Sequence, residues 1–129
     1  MAWPDVGVYV GAGTSHSWTW FADIFERNGI VTVKFFDEGH FTREWLNQID
    51  VLLVSGGDTF AIAEGLGRNG AEQLEEFIAS GGVYIGSCAG AYLPLKSSLP
   101  PLNQFNFVTS RITNLTRNLP APRKMAEKF

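Results

Sequence analysis

The chain has 129 residues, 45% of them hydrophobic, and a formal net charge of -3, enough for one globular domain that buries roughly two thirds of the surface its unfolded chain exposes. The slight negative charge gives no basic field for nucleic acid or an anionic membrane, no apolar run approaches a membrane span, and no secretory leader is apparent, so neither nucleic acid nor membrane is an expected partner. One cysteine, Cys88, rules out an intramolecular disulfide and a Cys-rich zinc site. His16 and His40 lack ligand-spaced partners, so no metal and no cofactor is expected, and the setting is read as a reducing cytoplasm.

Val6 to Val10 is a short apolar run ending at Gly11-Ala12-Gly13, which suits a buried parallel strand and a tight turn. Thr14, Ser15 and Ser17 are candidate caps for a helix over Trp18 to Asn28, which Asn28-Gly29 stops. In that helix Phe21, Ile24 and Phe25 recur at helical spacing, and the aromatics Trp18, Trp20 and Phe21 are expected to pack on the sheet. Ile30 to Phe36, rich in β-branched residues, is the second strand, and Asp37-Glu38-Gly39 turns the chain.

A short helical stretch runs from Thr42 through Leu46, and Val51 to Val54 is a wholly apolar strand meeting Ser55-Gly56-Gly57-Asp58. Phe60 to Leu66 and Ala71 to Ala79 read as a broken helical crossover, and Val83 to Ile85 as the fourth strand. Strands alternating with helices at this spacing indicate a mostly parallel α/β sheet covered on both faces, with its binding edge at the carboxyl ends of the strands. Residues 1–97 form the core of this reading. Residues 98–129 are an irregular, proline-containing part of the same domain, with Phe105 to Leu115 as the one candidate strand or hairpin arm.

Gly86-Ser87-Cys88-Ala89-Gly90 follows a strand and opens a helix, the context that a G-x-nucleophile-x-G elbow requires. Small flanking residues are needed because the nucleophile sits on a sharp turn against close backbone. A thiol at a helix start lies near unpaired N–H groups, which favours its thiolate. Ala89 N–H and Gly57 N–H are the candidate donors to an oxyanion. Gly13 and Thr14 on the first turn could bind a carboxylate or phosphate, and Gly56 and Asp58 a polar ligand, although Asp58 reads equally as the cap of the helix after it. Tyr92 is placed at the pocket floor. The first turn is not a full G-x-G-x-x-G, so dinucleotide binding is not expected.

Gly11-Ala12-Gly13-Thr14, Ser55-Gly56-Gly57-Asp58 and Tyr84-Ile85-Gly86-Ser87-Cys88-Ala89-Gly90-Ala91-Tyr92 together resemble the class I glutamine amidotransferase-like superfamily, and within it the biotin-protein ligase amino-terminal domain family. The resemblance covers most of residues 5–97. It implies a flavodoxin-like three-layer sandwich, a Cys88 nucleophile and oxyanion donors at Gly57 and Ala89. Glutamine hydrolysis is the superfamily's best-known chemistry.

Amidotransferases also carry a His and a Glu downstream of the elbow, whereas no histidine follows His40 here. The fold is therefore read as truncated on its C-terminal side, and a homo-oligomer or a complementing second chain is expected beside a small-molecule ligand. His16, on the first turn, is the surrogate base to weigh against a solvated loop histidine. The leading function is a thiol-dependent amidase or hydrolase of a small-molecule or acyl substrate. Its rivals are a noncatalytic ligand-binding or regulatory module and a redox-type thiol protein, the last disfavoured by Ala89 where that branch carries His.

Overall fold

The computed structural model describes residues 3–30 and 32–111. Four short apolar segments, β1 (Val6–Tyr9), β2 (Val33–Phe36), β3 (Val51–Val54) and β4 (Val83–Gly86), form one parallel sheet in the order β2-β1-β3-β4. The register aligns Phe36, Tyr9, Val54 and Gly86 in one row, so all four strands end together and their following loops emerge side by side.

Successive residues of a strand point to opposite faces, and the core divides accordingly. Val6, Val8 and Leu53 meet Trp18, Phe21 and Phe25 of helix α1 (Trp18–Arg27). Tyr9, Leu52 and Val54 belong to the larger cluster on the other face, with Ile62, Leu66, Leu74 and Phe77 of helix α3 (Thr59–Ala79) and Leu46 of the one-turn helix α2 (Arg43–Leu46). The result is the three-layer α/β arrangement that the alternation of elements predicts. Among the described residues no helix is long and apolar enough to cross a membrane.

The crossover is broken as expected: Gly67 takes φ 65° and ψ -170°, outside the helical region, and kinks α3 between two helical stretches. Only glycine holds that backbone cheaply. On α1, Trp20 is 74% exposed, so the expectation that it packs on the sheet is corrected, and Ile24 is 52% exposed. Both lie off the stripe that Trp18, Phe21 and Phe25 define at helical period.

β2 begins at Val33 instead of Ile30, since Ile30 N–H is tied back to Phe25 O at 2.9 Å and closes the end of α1. No strand forms over residues 105–111, and residues 112–115 of the expected arm lie outside the described residues. Phe105 instead closes a turn on Leu102 O and is fully buried, while Phe107 N–H and Val108 N–H both bond to Pro94 O. The segment is thus fastened to the chain leaving the elbow, with Leu102 and Phe107 packed on the larger cluster.

Candidate functional site

Cys88 lies between β4 and the one-turn helix α4 (Ala89–Tyr92), with φ 55° and ψ -116°, and is the only non-glycine residue at positive φ among the described residues. The elbow is held from below by backbone bonds: Ser87 N–H to Val54 O at 3.0 Å and Gly90 N–H to Ser55 O at 3.1 Å. The hydroxyls of Thr59 and Tyr84 donate to Ala89 O and Gly90 O, the former at 3.2 Å. Burial pushes the Tyr84 phenol above its ordinary range, so it stays a donor there.

Such close packing dictates the flanking residues. A Cβ on Gly86 would collide with the Gly90 carbonyl, and one on Gly90 with the Val54 carbonyl. The sulfur-bearing residue is exposed and its thiol is free. Neither Ala89 N–H nor Gly57 N–H meets an acceptor among the described residues. These are the two groups the sequence nominates as oxyanion donors.

The first turn folds onto the third. Thr14 and Gly57 form an antiparallel bridge, with Ser15 N–H to Gly56 O and Asp58 N–H to Gly13 O, both at 2.9 Å. Ser17, expected as a helix cap, makes no capping bond and instead accepts from Gly56 N–H at 2.8 Å. Gly13 (φ 86°) and Gly57 (φ 144°) each need the absence of a side chain, because a Cβ would strike Ile62 N or Gly13 O respectively. Asp58 caps α3, its carboxylate accepting from Phe60 N–H at 3.0 Å and Ala61 N–H at 3.2 Å. Thr14 donates its hydroxyl to Gly11 O at 2.7 Å. The polar groups of Gly13, Thr14, Gly56 and Asp58 are thus largely engaged with this framework, and they shape the rim. Tyr92 is 47% exposed and lines a cavity beside α4.

Glu38 was read from sequence only as part of a turn, yet it organises the far end of this edge. Its carboxylate accepts from Ala12 N–H at 2.8 Å and from the Tyr9 hydroxyl at 3.3 Å. The Ala12 N–H holds the Glu38 carboxyl below its ordinary value, and burial followed by the Glu38 charge pushes the Tyr9 phenol up. His40 bonds Asp37 at 3.0 Å, which lowers the Asp37 carboxyl. This pair follows β2, which two strands separate from β4. His16 is exposed on the rim loop, and its ring bonds no described residue. Among the described residues no three His, Cys, Asp or Glu side chains gather in a metal-binding group.

The family model described as biotin-protein ligase, N terminal, matches residues 5–98. No curated protein matches the chain. Among solved structures, a crystal structure described as that of a candidate peptidase E protein from Listeria monocytogenes EGD-e is similar, with a TM-score of 0.58 and 20% identity, over 96% of this chain and 74% of that one. The match supports the fold, a parallel α/β sheet of flavodoxin-like type. With its family model spanning the sheet and the elbow, the chain belongs to the biotin-protein ligase N-terminal family.

Proposed function

We propose that this chain carries the nucleophile of a thiol-dependent amidase or hydrolase acting on a small-molecule or acyl substrate. The observation that carries the reading is the backbone of Cys88, held at φ 55° and ψ -116° on a strand-to-helix turn with the Ala89 N–H unpaired beside it. A strained, over-determined conformation at an exposed thiol is what presenting a nucleophile requires.

In this reading the Cys88 thiol loses its proton to solvent and the thiolate attacks the substrate carbonyl carbon. A C–S bond forms as the carbonyl π electrons move to oxygen, where the Ala89 and Gly57 N–H groups stabilise them. Collapse breaks the C–N bond, the departing amine takes a proton from solvent, and water then hydrolyses the thioester to release acid and thiol. His16 lies on the loop that Ser15 and Ser17 fasten to Gly56, and its ring bonds no described residue, so this reading leaves both proton transfers with solvent. A reducing, cytoplasmic setting fits a free exposed thiol. Val83 and Ile85, 50% and 47% exposed on edge strand β4, support association with a second copy or a complementing chain.

Treatment with para-nitrophenyl acetate tests the reading. A burst of nitrophenolate with one acetyl group mapped by mass spectrometry to Cys88, absent in Cys88→Ala, is expected. Acetylation spread over lysines and equal in Cys88→Ala would overturn it. The position of His40, bonded to Asp37 at the opposite edge, favours a second reading as a noncatalytic ligand-binding module. Under that reading no Cys88-dependent nitrophenolate release is observed.

A further inference from the structure

Two cavities, the first of them beside α4, share Lys96 and Ser97 in their walls. The first, about 260 Å³, is walled by Phe60, Tyr92, Leu95 and Leu102. Tyr92 N–H donates to Cys88 O at 3.2 Å, which ties this wall of the cavity to the backbone of the elbow. Thr59, in the same wall, donates to Ala89 O. This apolar end therefore opens beside the elbow. Phe60 and Tyr92 are 46% and 47% exposed, so their rings present apolar area for a ligand to cover.

The second cavity, about 520 Å³, is polar and includes Asn106 and Arg111. Its wall is fixed by Lys96 N–H on Ser110 O at 2.9 Å and Ser97 N–H on the Asn106 side chain at 2.7 Å. Among the described residues Lys96 and Arg111 form no ion pair and no acidic side chain lines either cavity. The two cavities thus present an apolar, ring-walled end and a cationic end that meet at Lys96.

We propose that they form one groove serving Cys88, which takes a substrate with an apolar, ring-sized body beside the sulfur and a terminal anion between Lys96 and Arg111. Burial of the body against the aromatic wall supplies affinity, and the two cations select the charged end. The proposal rests on the elbow reading of Cys88, and it names the substrate class for that site.

Calorimetric titration of the Cys88→Ala protein with phenylbutyrate and with its neutral amide tests the groove apart from the chemistry. Saturable binding is expected, with the acid favoured about tenfold and the preference lost in Lys96→Ala and in Arg111→Ala. Both cations are exposed, so these variants are expected to fold. In the wild type, phenylbutyrate is expected to slow alkylation of Cys88 by chloroacetamide. Equal binding of acid and amide, or no binding of either, overturns the groove even where para-nitrophenyl acetate acylates Cys88. Binding that leaves the alkylation rate unchanged overturns its connection to Cys88. Selective binding with protection, but no acylation, supports the groove and overturns the catalytic reading alone.

Discussion

The backbone of Cys88 makes a thermodynamic prediction separable from its chemistry. Replacement by alanine removes the sulfur but keeps the Cβ, and with it the cost of holding φ 55° and ψ -116°; replacement by glycine removes both. Strain of this kind costs about 1–3 kcal/mol, whereas a glycine loses about 0.5–1 kcal/mol through its extra freedom in the unfolded chain. Cys88 is exposed, so truncating it sacrifices little packing. Cys88→Gly should therefore exceed Cys88→Ala in stability by about 1 kcal/mol, a rise in Tm of roughly 4 °C for a domain of this size. Urea unfolding followed by tryptophan fluorescence, with scanning calorimetry alongside, measures the difference. A glycine variant no more stable than the alanine variant would refute the claim that the elbow stores strain.

Gly90→Ala tests the packing under the elbow: its Cβ would press on the Val54 carbonyl, whose carbon would lie 2.6 Å away. The expected loss is about 1–3 kcal/mol in urea unfolding, with Cys88 acylation falling as the Ala89 N–H is displaced; unchanged stability would contradict the geometry. For Glu38 the folded carboxyl lies below its ordinary value of 4.5. It therefore stabilises fully above that value, and its contribution is lost as pH falls through the folded value. Wild type should thus exceed Glu38→Gln in urea midpoint at neutral pH, with the gap closing in acid, and a gap independent of pH would count against an ionised Glu38 at the Ala12 N–H.

The apolar runs of β1 and β3 were legible because parallel strands buried on both faces need uninterrupted hydrophobic residues, and the glycine turns after β1, β3 and β4 mark where backbone approaches backbone. Cys88 was legible for the same reason: Gly86 and Gly90 flank it because neither position has room for a Cβ. What escaped the sequence was mostly long-range. Ser17 has the composition of a cap, but its hydroxyl serves Gly56, 39 positions away. Glu38 sits in an ordinary turn, and only the sheet register brings it to Ala12 and Tyr9. Phe105 looked like strand material by propensity, yet tertiary contacts bury it in a turn. The broken crossover was legible as two helical patterns, Phe60 to Leu66 and Ala71 to Ala79, and Gly67 takes its non-helical backbone between them.

β4 lies last in the order β2-β1-β3-β4, so among the described residues the strand that delivers Cys88 has a neighbour on one side only. A strand docking on its other side, whether from this molecule or another, would run about 4.8 Å away, and if parallel and in register its carboxyl end would arrive alongside the sulfur. Among the described residues the open side of the sheet thus lies next to its one strained non-glycine residue, and the end of such a strand is where a proton-handling side chain would meet Cys88.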